Sequence, residues 1–180
     1  MSSHSKCIVK KGRFFLASSF IFFSSIALLS GCDNGGDDSS DGGTTVLTSE
    51  ASADLNGYLT TAINDEYRAK NTYVAVMNKF GEVQPFANIK KSEEQHIGML
   101  ANLFNNYGLS VPANPGNALS APATLGEACS LGVQAEIENA HMYDDLLAGT
   151  TEYADVQTVF RKLQSASLNQ HLPAFQNCAD

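Results

Sequence analysis

"SEEQHIGML" at residues 92–100 returns as "SLNQHLPAF" at 167–175, with Ser, Gln and His in the same register. A second pair accompanies the first. "EYRAKNTY" at 66–73 and "EIENAHMY" at 136–143 each place a Tyr seven residues after a Glu, two helical turns further along one face. The chain therefore reads as two copies of one helical hairpin, each contributing a Glu and a His.

The surrounding residues carry the helical period. Leu55, Tyr58, Leu59, Ala62, Glu66, Ala69, Tyr73, Val76, Met77 and Phe80 share one face, and Gly81 follows as a stop. Phe86, Ile89, Glu93, His96, Leu100, Leu103, Phe104 and Tyr107 share another, ahead of Gly108. A third helix is predicted over about 125–147 and a fourth over about 156–175, with Pro173 loosening its last turn. The connections "GEVQP" (81–85) and "AGTTEYAD" (148–155) are short and force antiparallel neighbours. "GLSVPANPGNALSAPAT" (108–124) is long and aperiodic, enough to run the length of a helix. The expected fold is all-α: a four-helix bundle of two helical hairpins with a long crossover between helices 2 and 3.

An ionised Glu on such an inner face is costly unless paired. Glu66 lies mid-face on its helix, and Glu93 and His96 straddle the centre of theirs, whereas Glu94 points to solvent. Of the cations, only Lys70 and Arg161 lie where they can reach inward. A metal ion is the economical partner, because carboxylate oxygens and a neutral imidazole at i and i+3 converge on one point. A single E-x-x-H is common and weak, most often a surface ion pair; its repetition carries the argument.

With these residues in place, the sequence resembles the ferritin-like di-iron carboxylate proteins, and within them the branch called DUF2202, over residues 53–180. The resemblance implies a ferritin-like bundle and an iron centre, with manganese as the alternative. It implies metal ligation by Glu66, Glu93, His96, Glu136 and His171. Oxidation of iron(II) with reduction of oxygen or peroxide would be the activity, and a homo-oligomer is compatible with it. The family pattern departs at the fourth helix, where Leu168 stands three residues before His171 in place of a Glu; water or Gln170 is the available substitute. No C-x-x-C motif is present to deliver electrons, so the donor is not identified. On the third helix Glu138 and His141 form a competing E-x-x-H, but His141 points nearly opposite the seam and Glu136 is favoured. Tyr73 and Tyr143 either support the ligands or simply pack. Removing one buried carboxylate, as in Glu93→Ala, is expected to relieve the metal-free core. The alternatives to turnover are a metal-binding protein without catalysis and a structural surface lipoprotein.

The N-terminus adds an address. "KKGRFFLASSFIFFSSIALLSGC" (10–32) has a basic start, an apolar middle and small residues before a Cys, as a secretory signal does. "LSGC" resembles the lipobox of bacterial lipoproteins, which implies a signal peptide over 1–31 and lipid attachment at Cys32. The expected location is an exported, membrane-anchored position on the periplasmic or cell-surface side. Residues 32–52, rich in Asp, Gly and Ser, are expected to form a flexible acidic tether. Four of the 11 Lys and Arg residues precede Cys32 and all 19 Asp and Glu follow it, so the remaining chain is strongly acidic. That balance argues against nucleic acid as a partner and suits cations. Cys129 opens the third helix and Cys178 closes the fourth, so antiparallel packing sets them side by side. A disulfide between them is expected in an oxidising compartment.

Overall fold

The computed structural model describes residues 49–179. The expected signal peptide, Cys32 and most of the expected tether lie outside the described residues. Within them the protein is all-helical: α1 (Ser49–Phe80), α2 (Phe86–Asn106), α3 (Leu125–Gly149), α4 (Ala154–Ala166), a π-helical turn (Ser167–His171) and α5 (Leu172–Ala179). α1 begins inside the stretch expected to be tether. None of these helices is long and apolar enough to cross a membrane.

Local signals set the boundaries. Gly81, at φ 88°, takes the left-handed conformation after α1, and its N–H reaches Met77 O at 2.8 Å. α3 opens with a reciprocal cap: Thr124 Oγ1 accepts from Glu127 N at 3.2 Å, and Glu127 Oε2 accepts from Thr124 N at 3.0 Å.

α1 packs chiefly on α2, and α3 on α5 and α4. Two apolar clusters result. One joins Leu55, Leu59, Ile63, Leu100, Phe104, Leu146 and Phe160; the other joins Tyr73, Val76, Phe86, Ile89, Cys129 and Phe175. In the second cluster Tyr73, Phe86 and Phe175 meet pairwise with ring centroids 5.0–5.7 Å apart. Gly132 allows this closeness, since a Cβ there would lie 2.6 Å from the Phe175 ring. The Cys129 and Cys178 sulfurs are bonded, with Cα atoms 5.6 Å apart.

The crossover lies along α1, held by side chains of that helix. Asn71 and Asn114 exchange amide hydrogen bonds, Tyr67 OH donates to Pro112 O, Thr72 Oγ1 accepts from Leu119 N, and Lys79 donates to Pro122 O. The contacts advance together along both segments, so the crossover runs in the direction of α1.

The last expected helix is broken. Pro173 has no N–H to give the carbonyl four residues back, and its ring crowds that carbonyl. The chain widens just before it: Leu172 N–H bonds Ser167 O, five residues away. The extra residue per turn changes which side chains face inward. Ser167 and His171 are buried, while Leu168 is 43 % exposed. The expectation that Leu168 occupies the inward position of a missing carboxylate is therefore corrected; Ser167 does. Gln170 is exposed at a surface cleft and does not fill the gap.

Candidate metal centre

Each helical column brings one or two polar side chains to the level between the two apolar clusters. On α1 Glu66 lies between Ile63 and Tyr73; on α2 Glu93 and His96 lie between Ile89 and Leu100. On α3 Glu136 lies between Cys129 and Tyr143, and His171 of the π turn lies between Leu163 and Phe175. All five are buried.

They form one connected cluster with Glu93 at its centre. His96 Nδ1 donates to Glu93 Oε2 at 2.9 Å and Glu66 Oε2 at 3.1 Å. His171 Nδ1 lies 3.2 Å from Glu93 Oε1 and 3.3 Å from Glu136 Oε2. Two overlapping three-residue groups result, Glu66–Glu93–His96 and Glu93–Glu136–His171. In each, one donor atom from every residue lies within 4.8 Å of the others.

The outer carboxylate oxygens are held crosswise. Tyr73 OH of α1 donates to Glu136 Oε1 on α3 at 2.6 Å, and Tyr143 OH of α3 donates to Glu66 Oε1 on α1 at 2.6 Å. Both tyrosines thus touch ligand-type carboxylates rather than merely packing. On the far side, Ser92 Oγ lies 3.2 Å from His96 Nε2 and 3.0 Å from His171 Nε2. The two imidazoles stack, 5.5 Å between centroids and 22° between planes.

The charges offset one another in the absence of a metal. Burial opposes the imidazolium form, but the hydrogen bonds it donates to Glu66 and Glu93 outweigh burial and raise His96 to about 9. Burial likewise opposes a charged His171, and Glu136 and Glu93 overcome it to reach about 10. Burial first, and the Glu93 charge second, raise Glu66 to about 7. Glu93 moves the other way: burial would raise it, but hydrogen bonds from His171, His96 and Glu66 hold it below the usual carboxylate range. Burial, then the neighbouring carboxylates, push both Tyr73 and Tyr143 well above ordinary phenols, so they remain hydrogen-bond donors.

The competing residues stay outside. Glu138 and His141 are exposed, and Glu138 accepts from Gln134. Glu94 is exposed and pairs with Lys90 at 3.0 Å. Lys70 lies over the Tyr67 ring and Arg161 bonds Gln157, so neither expected cation reaches the cluster.

Sequence reasoning missed a polar chain beside the centre. Ser167 Oγ donates to Asn139 Oδ1 at 2.7 Å, Asn139 Nδ2 to Asp65 Oδ2 at 2.9 Å, and Arg68 Nη2 to Asp65 Oδ1 at 2.6 Å. Asn139 shares bundle-seam spacing on α3 with Leu125, Ala128, Gly132, Ala135, Met142 and Leu146, a polar residue in an apolar series, and that is its only signal in the sequence. Glu93, Glu136, Tyr73, Asn139 and Asp65 border a small cavity of about 20 Å³ beneath Leu119 of the crossover, room for about one water.

The fold and cluster define an all-helical protein with a buried carboxylate–imidazole site able to hold metal. No family model and no curated protein matches the chain. Among solved structures it is similar to the crystal structure of hypothetical protein MJ0754 from Methanococcus jannaschii DSM 2661. The TM-score is 0.63 at 19% identity, covering 78% of this chain and 85% of that one. At that identity the likeness speaks for the helical fold alone.

Proposed function

We propose that the protein is a ferritin-like carboxylate protein of DUF2202 type that binds a pair of metal ions, iron before manganese. The observation that carries this reading is the overlap of two three-residue donor groups on one shared carboxylate, Glu93. The sequence repeat and the long crossover favour two helical hairpins, as that group has. Carboxylate oxygens with one imidazole per position suit iron(II) or manganese(II), and the imidazoles disfavour calcium.

A bound iron pair supplies electron transfer to dioxygen or peroxide. The protein's part is to prepare the donors. Glu66 and Glu136 would each hold one ion, with His96 and His171 on the respective sides and Glu93 between them. Tyr73 and Tyr143 bond the outer oxygens of Glu136 and Glu66 and so aim the inner oxygens at the centre. The cavity at Glu93 and Glu136 has room for about one water-sized molecule.

A second reading, metal binding without turnover, is favoured by the π turn. It sets Ser167, not a carboxylate, on the inner face, so the centre has five protein ligands. The cluster is also satisfied without metal: every buried side-chain nitrogen and oxygen among the described residues has a partner. Metal analysis of untagged protein, followed by anaerobic iron(II) titration, tests the centre. Oxygen or peroxide consumption by the loaded protein then separates the readings. No bound iron or manganese would exclude both.

Lipid attachment at Cys32 would tether this domain to a membrane outside the cytoplasm. The support is the "LSGC" stretch after a basic-apolar leader. Cys32→Ser should change processing and membrane fractionation, and a variant both processed and retained in the membrane like the parent would exclude the anchor.

A further inference from the structure

Ser92 meets both imidazoles at their Nε2 atoms, as Glu93 meets both at Nδ1. It stands one turn before His96 on α2, and His171 reaches it from the π turn, 79 residues away in sequence. The stacking of the rings explains how one atom serves both. With planes 22° apart, the two Nδ1 atoms face the carboxylates while the two Nε2 atoms face the same hydroxyl. A hydroxyl oxygen has two lone pairs and accepts both N–H groups. Its own proton is then directed elsewhere, and Ser92 borders an open surface cleft with Asn88, Gln170 and Ala174.

We propose that Ser92 is a shared positioning residue that sets the tautomer and orientation of both histidines, joining the two metal positions into one unit. This rests on the metal-binding reading above. A ligating imidazole needs a free Nδ1 lone pair and therefore carries its proton on Nε2. An acceptor at Nε2 fixes that state and the ring's rotation. A neutral hydroxyl does this without adding a further negative charge to three carboxylates.

The repeat supplies a matched control. Ser167 occupies the same register in the second copy and is buried, where Ser92 is half-buried. The π turn directs its hydroxyl to Asn139 Oδ1 and Leu163 O instead of an imidazole. The two serines, alike in sequence, differ in what they hold.

Anaerobic cobalt(II) titration of the parent, Ser92→Ala, Ser92→Thr and Ser167→Ala tests the assignment. Visible absorption follows affinity and stoichiometry. Proton NMR follows the hyperfine-shifted, solvent-exchangeable Nε2–H signals of ligating histidines. The parent should show two such signals. Ser92→Ala should weaken both positions together, by about 10–100-fold, and lose both signals to exchange. Ser92→Thr should restore affinity and signals, and Ser167→Ala should match the parent. Parent-like affinity and signals in Ser92→Ala, or a loss confined to one histidine, would overturn the role of Ser92 while leaving the metal centre intact. A parent that binds no cobalt(II) would overturn the centre itself. Should Ser92→Ala not fold, Ser92→Cys replaces it, since sulfur keeps the volume but accepts weakly, and the same outcomes decide.

Discussion

Glu93→Gln removes the charge at the middle of the centre while keeping the side chain's shape. In the parent, Glu93 Oε2 accepts from His96 at 2.9 Å and Oε1 lies 3.2 Å from His171 Nδ1. A Gln carbonyl oxygen can accept from one imidazolium, but its NH₂ then confronts the other N–H. One charge-assisted hydrogen bond is lost, a cost of about 1.5–3 kcal/mol. Removing the charge also relieves Glu66, whose pKa Glu93 helps to raise. The sign of the sum follows from Glu93 itself. Its pKa is lowered despite burial, so attraction to the two imidazolium groups outweighs both desolvation and repulsion.

The metal-free variant should therefore be less stable than the metal-free parent, which reverses the expectation from sequence that losing a buried carboxylate relieves the core. For a domain of this size about 1 kcal/mol moves Tm by roughly 3–5 °C, so the melt in chelator near pH 6 should fall by roughly 5–15 °C. Both metal positions lose a charged donor. Affinity for iron(II) and manganese(II) should drop by more than the 10–100-fold typical of losing an outer hydrogen-bond partner. Scanning calorimetry in chelator and anaerobic isothermal titration measure the two effects. Glu94→Gln, on an exposed side chain paired with Lys90, should change stability by no more than about 0.5 kcal/mol. An unchanged or higher metal-free Tm for Glu93→Gln would refute the electrostatic argument, and parent-like metal affinity would refute the centre.

The pH dependence follows from the same groups. His96 and His171 titrate at about 9 and about 10 in the fold against an ordinary 6.5. Raised values stabilise fully below the unfolded pKa and lose that contribution as pH rises through the folded one. Glu66, raised to about 7, has the same sign and begins the loss. Chelated protein should thus lose stability as pH rises, first between 4.5 and about 7 through Glu66 and then between 6.5 and about 10 through the two histidines. It should also lose some on the acid side, as pH falls below the ordinary 4.5 of Glu93. Loading both positions near pH 7 should release more than two protons, one from each imidazole and a further fraction from Glu66, measurable as buffer-dependent heats in titration calorimetry. The Cys129–Cys178 bond closes a loop of sequence separation 49, so Cys129→Ser should cost about 2–4 kcal/mol in denaturant melts. Alkylation of unreduced, unfolded protein should find neither thiol free. Leu168→Glu should leave metal stoichiometry at the parent's value, because the π turn exposes that side chain; a gain in affinity would refute the inward placement of Ser167.

Much of this arrangement was legible in the sequence because helical period is a local property. Stop signals at Gly81 and Gly108 and the apolar faces of α1 and α2 follow from spacing alone. The same spacing marked Glu66, Glu93 and His96 as inward, and the repeat and the family resemblance added Glu136 and His171. What spacing could not give is the change of period at the π turn. Pro173 signals a disturbed last turn, but whether the helix kinks, ends or widens depends on packing against α3, where Gly132 admits Phe175. The expectation at Leu168 came from carrying the family's E-x-x-H pattern across that turn. The chain Ser167–Asn139–Asp65 was hidden for another reason. Its partners are 28 and 74 residues apart, and small polar residues on a helix look alike whether they face water or one another.

The sequence repeat suggests a centre built evenly from two copies, yet the structure distributes the work unequally. α2 supplies Glu93, whose two oxygens serve both halves, and Ser92, whose one oxygen meets both histidines. The corresponding stretch of the second copy supplies only His171, because the π turn rotates Leu168 outward and sends Ser167 to Asn139. The pairs contributed by α1 and α3 remain symmetric, since Glu66 with Tyr73 and Glu136 with Tyr143 exchange hydrogen bonds crosswise. The turn "SEEQH" of α2 is therefore the axis of the site. A change there acts on both three-residue donor groups through one residue, whereas a change in the π turn acts directly on the His171 group alone. One copy keeping the shared elements lets the other give up its carboxylate without dissolving the cluster, because each imidazole still has two carboxylates to face.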